Sequence, residues 1–355
     1  MQPIVRTTPS KYERTNGTGG SIVSKPTILI VDDLPANIDL IKNFFVEQPY
    51  NLISANNGEE ALMLIDKHNV DLVLLDVIMP GMDGFTVCEK IKSDDLTKLI
   101  PVIMITGLED SASKIKGIKL GVDDFITKPF NIFELKARAA SLIKLKQYTD
   151  QLENAESILF SLALTVEAKD PNTIGHCNRL ANFGMLLAEE IGLSDHEIRT
   201  VRRGGILHDI GKLAIKDSIL LKPGPLTDEE FRIIETHPEE GEKICKPLQT
   251  MNDVLPIIRH HQERFDGTGY PDKLKGEEIP VGARIVAMVD VYDALTSDRP
   301  YRKALDKRSA LGVLDQEVEA GKWDKSIVSS FKNILQRDDL QHCLASPVFE
   351  IGNGV

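Results

Sequence analysis

The sequence predicts two folds in one chain: a doubly wound α/β domain with a five-stranded parallel sheet, then an all-α domain holding a cluster of metal-ligating side chains. Three observations lead there. Short apolar runs ending in polar residues alternate with amphipathic stretches up to about Leu145. From Ser157 to about Leu335 the apolar spacing is mainly helical. His176, His208, His237, His260 and His261 share that second region with Asp209 and Asp290. At 355 residues the chain is too long for one ordinary core, and about two domains plus linkers is expected.

The first 25 residues are polar, with Gly17, Gly19 and Gly20, and read as a disordered tail without a signal-peptide apolar core. From Thr27 the strands begin. Ile28-Leu29-Ile30-Val31 ends in Asp32-Asp33, Asp71 to Leu75 ends in Asp76, Pro101 to Ile105 ends in Thr106, and Asp124 to Thr127 ends at Lys128-Pro129-Phe130. Between them Ile38 to Phe45, Glu59 to His68, Phe85 to Ile91 and Ser113 to Leu120 carry helical periodicity. Alternating strand and helix implies a parallel sheet covered on both faces, with ligands at the carboxyl ends of its strands. Those ends carry Asp32, Asp33, Asp76, Thr106 and Lys128. Three converging carboxylates repel one another unless a cation neutralises them, and oxygen-only ligation suits Mg²⁺. One carboxylate can then attack a phosphoryl donor, with Thr106 and Lys128 stabilising the transferred oxygens.

This segment resembles the receiver domain of two-component response regulators, through ILIVDD, LVLLDVIMPGMDG, IMITG and KPF. The resemblance implies that Asp76 accepts the phosphoryl group from a cognate sensor histidine kinase. It also implies that Asp32 and Asp33 hold Mg²⁺ with Asp76, and that Thr106, Phe125 and Lys128 carry the switch. The receiver is expected over residues 26–145.

Ile132 to about Lys169 contains neither Pro nor Gly and is rich in helix formers. Leu145, Leu152 and Leu159 recur every seven residues, with Leu135 and Leu142 on a neighbouring row. Two readings fit: a continuous helix pairing with its twin in a homodimer, or an amphipathic helix packed on its own domain. A helical linker is expected over 146–160.

In the second half, Leu180 to Ile191, Glu197 to Leu207 and Ala283 to Leu295 read as helices of a bundle with ligands on inward faces. Imidazole with carboxylate suits first-row metals such as iron, manganese or zinc. The vicinal His208–Asp209 pair makes sense if both reach one cluster, the carboxylate bridging two ions. Phe265 to Pro271 is too glycine-rich for helix and reads as a loop walling that site.

These residues resemble the HD-GYP branch of the HD metallohydrolases, through HDIGK, HHQERFDGTGYP, ARIVAMVDVYDAL, DRPYR, GHCNRLANF and GKWDKSIVSSF. The domain is expected over 161–337, followed by a tail at 338–355. The resemblance implies hydrolysis of cyclic di-GMP to pGpG or GMP. Its metal ligands would be His176, His208, Asp209, His237, His260, His261 and Asp290, holding two divalent ions, Fe or Mn, that activate a shared water. Asp209 would bridge them, Lys212 would stabilise developing charge, and Tyr270, Asp293, Arg299 and Arg302 would contact substrate. Some members place Glu four residues before the first histidine to help hold a third metal; Asn172 stands there, which favours two.

A net charge of −12 and a pI near 5.2 argue against a general DNA or anionic-membrane binder. Neither a bilayer-spanning apolar run nor a CxxC among Cys88, Cys177, Cys245 and Cys343 is present, so a cytoplasmic protein is expected. The competing reading is a non-catalytic adaptor that binds cyclic dinucleotide or GGDEF-domain proteins; a phosphodiesterase for another cyclic dinucleotide, such as cyclic GMP-AMP, also fits. Intact metal and lysine positions favour catalysis.

Overall fold

A computed structural model describes residues 25–94, 96–107, 111–169, 175–298 and 302–337. The expected tails, Asn172, Arg299 and Cys343 lie outside the described residues. The chain forms two compact units that divide between Asn154 and Ala155.

In the first unit, strands β1 (Thr27–Val31), β2 (Asn51–Ala55), β3 (Leu72–Asp76), β4 (Val102–Thr106) and β5 (Asp124–Thr127) form a parallel sheet in the order β2-β1-β3-β4-β5. Every residue of β3 and β4 is buried, as continuous apolar runs covered on both faces should be. Edge strand β2 is mostly half-buried and its NLISA sequence carries no such run, so it is the one strand the apolar pattern does not single out. Helices α1 (Pro35–Phe45), α2 (Gly58–Lys67), α3 (Gly84–Ser93) and α4 (Ser111–Lys119) connect the strands. Helices α2 and α3 start earlier than their apolar stripes because polar residues cap them: Asn57 accepts from the Glu60 N–H and Asp83 from the Thr86 N–H. One apolar layer, including Ile28, Ile30 and Phe45, lies on one face of the sheet, and a second, including Leu29, Leu75 and Met104, on the other.

Helix α5 (Ile132–Lys169) runs for 38 residues. Leu135, Ala139 and Ile143 are buried in the first unit's core with Leu142 packed beside them, so the Leu135–Leu142 row is core packing. Leu145, Tyr148 and Leu152 are exposed, whereas Leu159, Phe160 and Ala163 are buried in a core of the second unit. The heptad row therefore contains two kinds of leucine.

The second unit is built from α6 (His176–Glu190), α7 (Asp195–Leu207), α8 (Asp217–Leu220), α9 (Asp228–Ile234), α10 (His237–Cys245), α11 (Leu255–His260), α12 (Val281–Thr296), α13 (Lys307–Glu319) and α14 (Lys325–Leu335). A capping box of Ser194 and Glu197 starts α7, and one of Thr227 and Glu230 starts α9. Helix α12 is central. It buries Ile285, Val286, Met288, Val289 and Tyr292, and Tyr292 packs edge-on against Phe183 of α6 and Phe331 of α14 with centroids 5.9 and 4.9 Å away. An interior helix gives the carboxylates it carries little freedom to move. No helix among the described residues is long and apolar enough to cross a membrane.

Candidate metal centre and receiver site

In the first unit Asp32, Asp33 and Asp76 bring carboxylate oxygens within 4.8 Å of one another at the carboxyl edge of the sheet. Lys128 lies among them, its Nζ 3.1 Å from Asp32 Oδ2 and 3.1 Å from Asp76 Oδ1. Burial works against the Lys128 charge, but Asp76 and Asp32 outweigh it and raise the ammonium pKa. Burial pushes the Asp76 carboxyl above the usual carboxylate range, with Lys128 opposing. Asn37 also binds both oxygens of Asp32, at 2.9 and 3.0 Å, a partner that sequence reasoning missed. Thr106 ends β4, buried, in register with Thr127. Phe125 is half-buried, and α4 meets its ring at Gly117, where an added Cβ would come within 2.4 Å of Phe125 Cζ.

The second site begins where α7 stops. The helix ends at Leu207; His208 follows still in helical conformation as its C-cap, and Asp209 comes next at φ −97° and ψ 4°, where the 3₁₀ turn begins. The chain then makes a 3₁₀ turn, Ile210–Ala214, in which positions three apart eclipse. Lys212 Nζ consequently lies 2.5 Å from Asp209 Oδ2. Gly211 lets this turn lie flush on α10, since a Cβ there would come within 1.9 Å of the His237 carbonyl oxygen. The HDIGK turn thereby places His237 beside Asp209.

Three histidines use the same anchor. His208, His237 and His261 each place Nδ1 2.8–2.9 Å from the carbonyl three residues earlier, of Gly205, Ile234 and Ile258. A carbonyl only accepts, so each Nδ1 carries a proton, and in the neutral ring each Nε2 presents a lone pair. His237 Nε2 and His261 Nε2 then face each other at 3.0 Å. Two lone pairs at that distance repel; two ligands each about 2.1 Å from a shared ion have such a separation. Asp209 Oδ1 stands 3.3 Å from His237 Nε2 and 3.8 Å from His261 Nε2, while its Oδ2 stands 3.3 Å from His208 Nε2. That last nitrogen is buried without a hydrogen-bond partner. Opposite oxygens of one carboxylate thus serve different histidines, the geometry of a bridge.

His176 and Asp290 complete the cluster, with Nε2 to Oδ1 at 3.4 Å, and His176, His208 and Asp290 have ligand atoms within 4.8 Å of one another. Burial opposes charge on Asp209, but Lys212 and His208 outweigh it and hold the carboxyl well below its usual range. Burial, reinforced by His208 and His237, holds His261 well below the usual imidazole value. The donor set is therefore two carboxylates, Asp209 and Asp290, among four imidazoles, which fits divalent first-row metals.

Two of the expected site residues stand apart from these ligand atoms. His260 does not join the six. Its ring groups with Glu263 and Asp272, Nδ1 lying 3.5 Å from Asp272 Oδ2 and 4.0 Å from Glu263 Oε1. His260 ends α11 and His261 follows it, and side chains around a helix end point apart by about 100°. Asp293, expected to contact substrate, is 3% exposed and stands behind His176. Its Oδ2 accepts from His176 Nδ1 at 2.7 Å, and Arg179 donates to both oxygens at 2.6 and 3.0 Å. Burial opposes the Asp293 charge, and these hydrogen bonds outweigh it to lower its pKa. A carboxylate behind a ligand histidine fixes its ring and tautomer. Arg179 and this role were missed, although the spacing held a signal: His176–Arg179 and Asp290–Asp293 are both three apart, hence on shared helix faces.

Tyr270 stands at the rim with its ring 6.3 Å from that of His237; burial, then the charge of Asp209, pushes its phenol pKa upward. Arg302 donates to the Ala294 carbonyl at 2.5 Å while its Nε is buried without a hydrogen-bond partner.

The comparisons agree with both halves. A model of the response regulator receiver domain matches residues 28–140, and one of the HD domain matches 161–327. The "Cyclic di-GMP phosphodiesterase response regulator RpfG" of Xanthomonas campestris is 36% identical over 311 residues, covering 81% of this chain and 82% of its own. A "Probable cyclic di-GMP phosphodiesterase" of Vibrio cholerae is 34% identical over 346 residues, 87% of this chain and 78% of its own. A "3'3'-cGAMP-specific phosphodiesterase 3" of the same species matches at 37% over 163 residues, 46% of this chain and 35% of its own. With a receiver followed by an HD domain, and similarity running along most of both chains, the protein belongs to the family of receiver–HD response regulators to which the Xanthomonas protein belongs.

Proposed function

We propose that the protein hydrolyses cyclic di-GMP at the helical site under control of phosphorylation at Asp76, receiving its phosphoryl group from a sensor histidine kinase. The observation that carries the hydrolytic reading is the pair of His Nε2 lone pairs 3.0 Å apart, each locked by a backbone carbonyl on the far side of its ring. His176, His208, Asp209, His237, His261 and Asp290 would hold two divalent ions, iron or manganese. When bound, these ions lower the pKa of a shared water and neutralise phosphate charge. Asp209 supplies the bridging charge and orients the site through both oxygens. Lys212, already 2.5 Å from Asp209, brings an ammonium to the edge where phosphate oxygens enter. Tyr270 offers a rim contact to a base, and Arg302 and Arg299 bring positive charge from the segment after α12. Asp293 holds the His176 ring.

In the receiver, Asp32, Asp33 and Asp76 would hold Mg²⁺, and Asp76 attacks the phosphoryl donor. Thr106, Lys128 and Phe125 respond to the new charge. The exposed Leu145, Tyr148 and Leu152 of α5 support pairing of two copies along that segment, and GGDEF-domain proteins are further candidate partners. Domain limits at 26–145 and 161–337 place the intervening linker inside α5.

The deciding experiment purifies the full chain without oxygen, measures its metal content, and follows products from cyclic di-GMP, with 3'3'-cGAMP in parallel. About two ions per chain and release of pGpG or GMP are expected. Metal-loaded protein that binds cyclic di-GMP without turnover would leave an adaptor instead, and preferential cleavage of 3'3'-cGAMP would change the substrate.

A further inference from the structure

The helix that opens with His176 lacks a cap of its own. Gly175 precedes it at φ +75° and offers no side-chain hydrogen bond to the first turn, whose N–H groups still need acceptors. Glu167, in the last turn of α5, supplies them: Oε1 accepts the His176 N–H at 2.9 Å and Oε2 the Cys177 N–H at 3.1 Å. The carboxylate is 9% exposed. Bonds from backbone N–H to a carboxylate are among the strong ones, and the helix dipole favours negative charge at this end. Two bonds from one planar group to consecutive N–H groups fix both the place and the heading of the first turn, and with them the direction of the His176 side chain. The ring is fixed separately by Asp293 of α12. Backbone and imidazole of one ligand are therefore gripped by carboxylates from two different helices.

We infer that Glu167 is a positioning residue for His176, setting how tightly the ion on the His176–Asp290 side is held. The inference rests on reading the six-residue cluster as a metal site. It puts the grip on that ion in the closing turn of α5.

The test strips the full-length protein of metal and titrates it with Mn²⁺, using Glu167→Gln. The amide keeps the shape but loses the charge, and one of its two ends is a donor facing an N–H. Asp306→Ala serves as control: it removes a side-chain cap from α13, where Asp306 accepts from Ser309 N–H, in a helix without ligands. Glu167→Gln is expected to weaken one Mn²⁺ site by about ten- to a hundredfold, the range for partners that orient ligands, and to leave the other within about twofold. Excess Mn²⁺ should restore its turnover with substrate KM unchanged. Asp306→Ala should bind both ions as the wild type does. Affinities for Glu167→Gln within about twofold of wild type, or an equal loss in Asp306→Ala, would overturn the inference. If Glu167→Gln is insoluble, Glu167→Asp, which keeps the charge but draws it back by one methylene, is judged by the same criteria. Wild-type protein that binds no Mn²⁺ would instead sink the metal reading itself.

Discussion

The receiver pocket and the helical cluster both concentrate ligand atoms within a few ångströms, yet they handle the resulting repulsion differently. In the receiver the protein brings its own cation: Lys128 stands 3.1 Å from two of the three carboxylates, and Asn37 binds the first. The Lys128 ammonium offsets the repulsion among these carboxylates from within the protein. In the helical cluster Lys212 reaches one oxygen of Asp209, but among the described residues no protein cation stands between the Nε2 atoms of His237 and His261. Their rings are locked from behind and cannot turn away.

The largest effect should come from breaking the bridge. Asp209→Ala removes the charge that separates two cations, and metal content and turnover should both fall by more than about a hundredfold, beyond what removing an orienting partner costs. Asp76→Asn should leave both unchanged in the absence of a phosphoryl donor while abolishing any response to one. An Asp209→Ala protein with full metal would erase the distinction between the two sites.

Asp293→Asn should come next, with metal affinity down about tenfold or more and substrate KM unaltered. A selective rise in KM would return Asp293 to the substrate-contact role that its sequence position implied. Next to it stands His260→Ala, expected to retain metal content within about twofold, whereas His261→Ala loses it; equal loss in both would put His260 back into the cluster.

A smaller effect belongs to the receiver and depends on pH. The folded-state pKa of Asp76 lies above its ordinary value of about 3.9, because burial disfavours the charge. At neutral pH that charge costs stability; as pH falls through the raised pKa the carboxyl is neutralised and the cost disappears. Asp76→Asn should therefore melt higher than wild type at pH 7 without Mg²⁺, with the gap closing in acid. A gap that widens as pH falls would reverse the sign of the argument.

The smallest stability effect should be found along α5. Leu145→Ala and Leu152→Ala, at positions 61% and 45% exposed, should each change monomer stability by no more than about 0.5 kcal/mol. Leu159→Ala, 8% exposed, should cost about 2–5 kcal/mol. A lower sedimentation mass for the first two would show that this part of the seam pairs two copies.

Much of this was legible because strand ends and helix starts write themselves into sequence. Asp32, Asp76 and Thr106 each follow a run of apolar residues that has to be a buried strand, so their convergence followed from topology alone. The 38-residue helix was legible from the unbroken helix formers between Ile132 and Lys169. Strand β2 was not, since an edge strand needs no continuous apolar run. The metal ligands were visible as residue types, but His260 and His261 are chemically identical, and the end of α11, which sets them apart, leaves no mark in the letters. Asp293 was visible and its role was not: whether a carboxylate meets a ligand or a neighbour depends on Arg179, more than a hundred positions away in the chain. Glu167 carried no signal, because a cap supplied from another helix has no fixed spacing.

The carbonyl anchors behind His208, His237 and His261 have a thermodynamic consequence. Metal ligands usually must give up protons, which makes loading steeply dependent on acidity. Here each ring already bears its proton on the nitrogen facing away, and the nitrogen facing inward is bare. Where the rings are neutral, ion uptake at these three positions displaces no proton from imidazole. Any buffer dependence of the calorimetric binding heat then reports protons released by other groups, such as the shared water, and not by these rings.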